Sequence, residues 1–446
     1  MSSSLPIGWK LEPLGQLAQV VSGGTPSRYV PEFWRDGTIP WVTPTDITNT
    51  GGRYLSESCE GITELGLQSC SAKKLPPGAL LMTSRATLGE VRIALREVCT
   101  NQGFKSLIPF RGVNGHFLYY QIGLNKERYK GFGIGSTFLE VNKRDTERFE
   151  LLVAPEPEQR LIAEILSTVD EAIEQTEALI AKYQQIKAGL MHDLFTRGLS
   201  PEASAKGDGT WTLRPTREQA PHLYKESPLG WIPKEWEVIT VEDCAAKTPG
   251  SSTIGPFGSD LLSTDYRNVG VPVVFVRDVK EDGFEWNSGV YVTLEKATQL
   301  AAHSVKPGDI LSTKMGLPPC ISCTYPSWMD QGIITADIIR LRPDVSEVDN
   351  RWLSLALNGE AFRRQVQAIT AGVTRPKVTL SDFRKIWFPR PLRKEQAMMV
   401  DRMESVANLV SRESLRSAKL QKLKHGLMHD LLTGRVRVKV PETASI

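Results

Sequence analysis

The residues whose types most suggest a reactive centre are two His-Asp pairs, His192-Asp193 and His429-Asp430. Pairs of this kind ligate metals in phosphohydrolases. Such sites need further His and Asp side chains at set spacings, and the chain has six histidines in all. Both pairs close a helical pattern, where a cationic imidazole interacts favourably with the helix C-terminus, and that is the role expected of them. Cys320 and Cys323 form one CxxC without a second pair, so no zinc site is expected.

Other chemistries fail on spacing. "GFGIGS" at Gly131 lacks the Gly-x-Gly-x-x-Gly order of a dinucleotide loop and reads as a turn. There is no Gly-x-x-x-x-Gly-Lys-[Ser/Thr] phosphate loop and no [Asn/Asp/Ser]-Pro-Pro-[Tyr/Phe] tetrad to hold a flipped base. Pro343-Asp344 has no downstream partner for a nuclease core. The chain is expected to be non-catalytic, with no metal or cofactor of its own.

Polar and basic loops recur instead. Glycine lets a backbone approach phosphate closely, and Ser, Thr, Lys and Arg bond phosphates or base edges. The candidate DNA-binding residues of the first half are Thr25, Ser27, Arg28, Ser84, Arg85, Ser136, Thr137, Asn142 and Lys143. Those of the second half are Ser259, Thr313, Lys314, Thr374, Arg375 and Lys377, near a basic cluster that includes Arg363, Arg364, Arg384 and Lys385. Arg85 and Lys314 are expected in nearly equivalent loops, as are Thr137 and Thr374.

The elements that must carry these loops are duplicated. "GLMHDL" occurs at Gly189 and again at Gly426, an offset of 426 − 189 = 237 residues. At that offset Glu158-Gln159 falls on Glu395-Gln396, and "GSTFLEVNKRD" from Gly135 falls on "GVTRPKVTLSD" from Gly372. Upstream the register drifts: "LPPGALLMTSRA" at Leu75 answers "VKPGDILSTKMG" at Val305, and "IPWVTPTDI" at Ile39 answers "VPVVFVRDV" at Val271. Fixed-offset similarity marks a repeated module. Each copy opens with short apolar runs broken by Gly and Pro, an α+β pattern.

Each copy ends in a long helical pattern. Ile162, Leu166, Val169, Ile173, Thr176, Ile180, Tyr183, Lys187, Leu190 and Leu194 alternate four-three. The second copy matches with Met399, Met403, Val406, Val410, Glu413, Ser417, Leu420, Lys424, Leu427 and Leu431. That is the seam of a coiled coil, in a helix of roughly 38 residues and about 57 Å. Two matched seams can bury each other. An antiparallel pairing with pseudo-twofold symmetry is expected, although the linker length also permits a parallel one. Gly198 and Gly434 are placed to stop the helices.

The chain thus divides into a first domain over 1–154, a helix over 155–198, a Pro/Gly/Ser-rich linker over 199–230, a second domain over 231–391, a helix over 392–434 and a tail over 435–446. Of 446 residues, 40% are hydrophobic and 24% charged, with a net charge of +3. These values suit a globular protein and neither demand nor exclude a polyanionic partner. No run of about 18 apolar residues could span a membrane. The N-terminus lacks signal-peptide character, and scattered cysteines suit a reducing compartment. A cytoplasmic protein is expected.

The ordered set of globular domain, "P-x-x-EQ" helix entry, long helix ending in "GLMHDL", linker and second copy resembles the specificity (S, HsdS) subunit of type I restriction–modification systems across nearly the whole chain. "PEPEQRLIAEILSTVDEAI" and "LRKEQAMMVDRMESVANLV" look like that family's helix starts. "APHLYKESPLGWIPKEWEV" looks like its entry into the second recognition domain. The resemblance implies two target-recognition domains, each reading half of a split asymmetric DNA sequence, on a helical spacer that carries two methyltransferase (M) subunits. Restriction (R) subunits would join that core. S-adenosylmethionine would belong to the M subunits, and ATP and Mg to the R subunits. A coiled-coil adaptor displaying two protein-binding domains is the alternative.

Overall fold

The computed structural model of the chain describes residues 5–134, 139–201, 210–372 and 374–441. It resolves into two compact units, residues 1–180 with 412–446 and residues 181–411.

In the first unit, a five-stranded sheet runs in the order Ala18–Ser22, Lys105–Pro109, Leu80–Met82, Val91–Ala94, Tyr54–Leu55. A three-stranded sheet centres on Ile39–Val42, antiparallel to Glu60–Ile62 and parallel to Cys99–Thr100. The second unit repeats this plan. Ile310–Thr313 pairs antiparallel with Ile338–Leu341, and Val271–Val274 runs parallel to Gly332–Ile334. In both, apolar positions such as Leu80, Leu107, Ile310 and Ile339 close the core. Each globular part is zipped shut where its long helix starts: Lys10–Pro13 pairs with Glu150–Val153, and Glu237–Thr240 with Trp387–Arg390. The architecture is α+β with a long helix after each domain.

The long helices span Glu156–Thr196 and Arg393–Leu432, 41 and 40 residues. All twenty seam positions are buried or half-buried, and none is exposed. Within the first unit the helices pair antiparallel, since Asp170 bonds Lys424 at 2.6 Å while the later Glu177 accepts from the earlier Gln421 at 3.3 Å. Within the second unit Leu194, near the end of the first helix, packs with Met399 and Met403 near the start of the second. Each helix ends two residues before Gly198 or Gly434, at φ of +64° and +69°. A side chain at Gly198 would also collide with Glu395 and Trp236.

The Glu-Gln pair at each helix entry is a buried clamp. Glu158 accepts from the Trp9 indole at 3.2 Å and from Arg437 at 2.9 Å. Glu395 accepts from the Trp236 indole at 3.0 Å, from Arg214 at 2.6 Å and from the Leu199 amide at 2.7 Å. The adjacent glutamines are equally matched. Gln159 accepts from the Asn114 amide at 2.9 Å and donates to the Ala154 carbonyl, while Gln396 accepts from the Asp349 amide at 2.8 Å and donates to Pro391. Asn114 and Asp349 each cap a domain helix, so each clamp ties helix start, domain start and domain interior together. The arginine comes from the segment that follows the opposite long helix.

That last contact changes the picture of residues 199–230. They are not a bare linker. Leu199–Ser200 pairs with Thr212–Leu213, Arg214 is buried against Glu395, and Tyr224–Ser227 forms a hairpin with Gly230–Pro233. The Pro/Gly/Ser composition conceals one charged anchor and two strand pairings.

The first domain also docks on its helices through Arg53. Its side chain is 3% exposed and faces Asp170, Glu171 and Glu174 at 3.3–3.7 Å. Tyr120 donates to Asp170 at 2.7 Å.

Glu395→Ala should leave Arg214 buried without its carboxylate. Breaking such a pair costs about 3–5 kcal/mol. Urea unfolding of the full chain, followed by tryptophan fluorescence, should show the transition that reports Trp236 moving to lower denaturant, with its extrapolated free energy reduced by that amount.

Candidate nucleic-acid interface

In the first unit four loops meet. The Thr25 hydroxyl donates to Gln102. The Ser84 amide donates to the Gly103 carbonyl at 2.7 Å, and the Ser84 carbonyl accepts from the Val141 amide at 3.1 Å. Lys105 is buried and reaches the Ser84 hydroxyl at 3.2 Å. Glu140 sits between two cations, 2.8 Å from Arg85 and 3.7 Å from Lys105. Burial lowers the Lys105 pKa, only partly offset by Glu140.

The second unit builds the same frame. The Lys314 amide donates to the Asp337 carbonyl at 2.7 Å, and the Lys314 carbonyl accepts from the Val378 amide at 3.0 Å. Lys314 is therefore the counterpart of Ser84, not of Arg85. The counterpart of Arg85 is Met315, because Arg85 bridges to Glu140 as Met315 bridges to Lys377. Arg85 and Lys314 thus lie in equivalent loops one position apart, as the alignment of "LPPGALLMTSRA" with "VKPGDILSTKMG" has them.

A second shared device is a buried aspartate. Asp46 accepts from the Thr43 amide and hydroxyl at 2.7 Å each and from the Cys59 amide at 3.0 Å. Asp278 accepts from the Phe275 amide at 2.8 Å, the Asn287 amide at 3.0 Å and the Ser288 hydroxyl at 2.6 Å. Each holds its loop by main-chain contacts, and the residue just before it, Thr45 or Arg277, is exposed.

The candidate residues fall into different classes. Arg28 is stacked on Trp34, 3.6 Å from the ring centroid, and paired bidentately with Glu60 at 2.5 and 2.8 Å. The Glu60 hydrogen bond raises its pKa. Ser27 is exposed, with its carbonyl bonded to the Trp34 indole. Asn142 caps the helix Lys143–Arg148, and Lys143 is 3.5 Å from Glu147. Thr313 is buried, its hydroxyl accepting from the Ile321 amide at 3.0 Å. Ser259, Thr374, Arg375 and Lys377 are exposed. Ser136 and Thr137 lie outside the described residues. The basic cluster is dispersed, since Arg363 binds the Pro319 carbonyl and Asn358, and Arg384 binds Ser252. Cys320 and Cys323 are buried thiols, both pushed up to about 12 by desolvation.

Residues 6–185 match the family described as type I restriction modification DNA specificity domain. The type I restriction enzyme MjaIX specificity subunit of Methanocaldococcus jannaschii is 32% identical over 252 residues, 56% of this chain and 54% of that relative. That alignment thus spans about half of the relative's length. The MjaVIII specificity subunit of the same organism is 22% identical over 98% of this chain and 94% of its own. Among solved structures, the type I restriction–modification S subunit from M. genitalium shares the fold, with a TM-score of 0.56 and 15% identity over 97% of this chain and 98% of that one. The chain is thus similar to type I specificity subunits, through that domain model over residues 6–185 and through relatives aligned over part or most of its length.

Within these loops, sequence reasoning missed Lys105, Glu140, Asp46 and Asp278. Lys105 and Glu140 carried no signal, because each lies in an otherwise ordinary strand or turn. The two aspartates were visible, since Asp46 and Asp278 align in "IPWVTPTDI" and "VPVVFVRDV". No helix among the described residues is long and apolar enough to cross a membrane.

Asp46 gives a pH-dependent prediction. Burial alone would raise its pKa, but the hydrogen bonds from Thr43 and Cys59 outweigh burial and hold the carboxyl below its usual range. Its contribution to stability is therefore fully present above about pH 4 and is lost as pH falls through the lowered value. Scanning calorimetry should show Tm falling less steeply below about pH 4 in Asp46→Asn than in the natural chain.

Proposed function

We propose that this chain is the non-catalytic DNA reader of a type I restriction–modification complex. Its two globular domains read the two halves of a split, asymmetric DNA target, and its helices hold two M subunits and, through them, R subunits. S-adenosylmethionine is used by the M subunits, and ATP and Mg by the R subunits. The observation that carries the reading is the repeated loop frame: identical main-chain bonds around Ser84 and Lys314 present different side chains. Two readers built alike but faced differently suit two unlike half-sites. Partner docking on the helices draws support from Ile186 and Leu423, which are 237 residues apart and are 44% and 51% exposed. Equivalent apolar sites suit two copies of one partner.

The purified chain incubated with DNA and labelled methyl donor should transfer no methyl group. With its M partner it should direct methylation to one split motif. An adaptor for proteins would instead enrich nothing from a random DNA library.

The helices act as a ruler in this reading. One added heptad preserves a coiled-coil seam and lengthens each helix by about 10.5 Å. Inserting seven residues after both Ile180 and Ser417 should widen the unread gap by about three base pairs and leave both half-sites unchanged. Methylation mapping in cells carrying the variant and its M partner measures this. An active variant with the original gap would show that the helices do not set the spacing.

A further inference from the structure

One cavity of the second unit, about 530 Å³, is lined by Tyr266, Phe275, Arg277 and Asp337 among others. It adjoins the loop frame described above, because the Asp337 carbonyl is the acceptor for the Lys314 amide. Tyr266 and Phe275 meet edge-to-face, with ring centroids 5.8 Å apart. The Arg277 guanidinium lies over the Phe275 ring at 4.4 Å from its centroid. Stacking of this kind holds the flat donor fork in place without using its N–H groups.

Two opposite charges thus line one cavity, and among the described residues neither forms an ion pair. Some exposed arginines are held by carboxylates, as Arg28 by Glu60 and Arg351 by Glu404, but among the described residues the Arg277 fork is held only by the ring beneath it. An unpaired fork and an unpaired carboxylate lining one cavity suit a ligand that offers acceptors and a donor on one edge. In the major groove, guanine presents the adjacent acceptors N7 and O6, which suit arginine, and its cytosine partner presents the N4 amino donor, which suits aspartate. The equivalent positions of the first domain carry no such pair. The counterpart of Arg277 is Thr45, one residue before the buried aspartate, and the counterpart of Asp337 is Gly103, the acceptor for Ser84.

We infer that Arg277 and Asp337 are the side chains with which the second domain reads a G·C pair of its half-site, Arg277 donating to the guanine edge and Asp337 accepting from the cytosine amino group. This rests on the DNA-reading function proposed above and adds residues, a base pair and a domain to it.

The test uses the full chain co-expressed with its M partner, with methylated sites mapped by sequencing. The natural chain should require a G·C pair at one position or more of the second half-site. In Arg277→Gln and in Asp337→Asn, one such position should become permissive, with its preference for G·C falling at least about fivefold. The first half-site should not change, which also reports that the complex is intact. Should Arg277→Gln fail to accumulate, the isosteric Asp337→Asn carries the same readout. A second half-site with no required G·C pair, or a variant that methylates the unaltered motif, overturns the inference. If the natural complex methylates no split motif at all, the function proposed above fails instead.

Discussion

Glu158 and Glu395 sit in the protein interior, where a carboxylate is tolerated only if charged and polar donors surround it. The donors come from three places far apart in the chain: the tryptophan at the start of a domain, the segment that follows the other long helix and, through the neighbouring glutamine, a helix cap inside the domain. Loss of any one leaves a buried charge short of partners. Helix start, domain closure and helix return are therefore satisfied together or not at all. The alternating seam supplies the apolar burial, but a heptad pattern alone leaves pairing direction open. Arg437 and Arg214 reach these carboxylates from beyond the opposite helix ends, which is compatible with antiparallel pairing alone.

Local periodicity made the long helices legible. Their seam, their glycine stops and their duplication are all short-range patterns, and the α+β character follows from short apolar runs between Gly and Pro. The clamps were legible only as residues. "EQ" stands out in both copies, yet the side chains that hold its glutamates lie from 149 to 279 residues away and the helix caps that meet its glutamines 45 and 47, separations that no periodicity spans. The same limit explains residues 199–230, where Arg214 looks like any loop arginine until Glu395 is beside it. Among the loop residues, chemistry was readable and employment was not. Thr313 and Asn142 have suitable groups, but a buried amide and a helix N-terminus already use them. Arg28 is exposed and cationic, but Glu60 and Trp34 already hold it.

The two globular parts show how one scaffold can carry two different sets of side chains. Their frames are made of main-chain bonds, and the side chains around them differ: Ser84 against Lys314, Arg85 against Met315, Glu140 against Lys377. The first frame is partly self-neutralised, since Glu140 lies between Arg85 and Lys105. The second leaves Lys314, Arg375 and Lys377 without a matching internal carboxylate among the described residues. Under the function proposed here, backbone attraction and its salt dependence would be distributed unequally between the half-sites.

The buried aspartate carries a different consequence. Asp46 and Asp278 tie their loops chiefly through amides, which every residue but proline provides, so the side chain at the preceding outward position is no part of the knot. That position is a short threonine in one copy and a long arginine in the other, with the same knot beneath both. Such a loop is a socket in which side chains are interchangeable. A lineage carrying it could exchange that outward side chain by single substitutions, with the knot beneath it and the long helices left as they are.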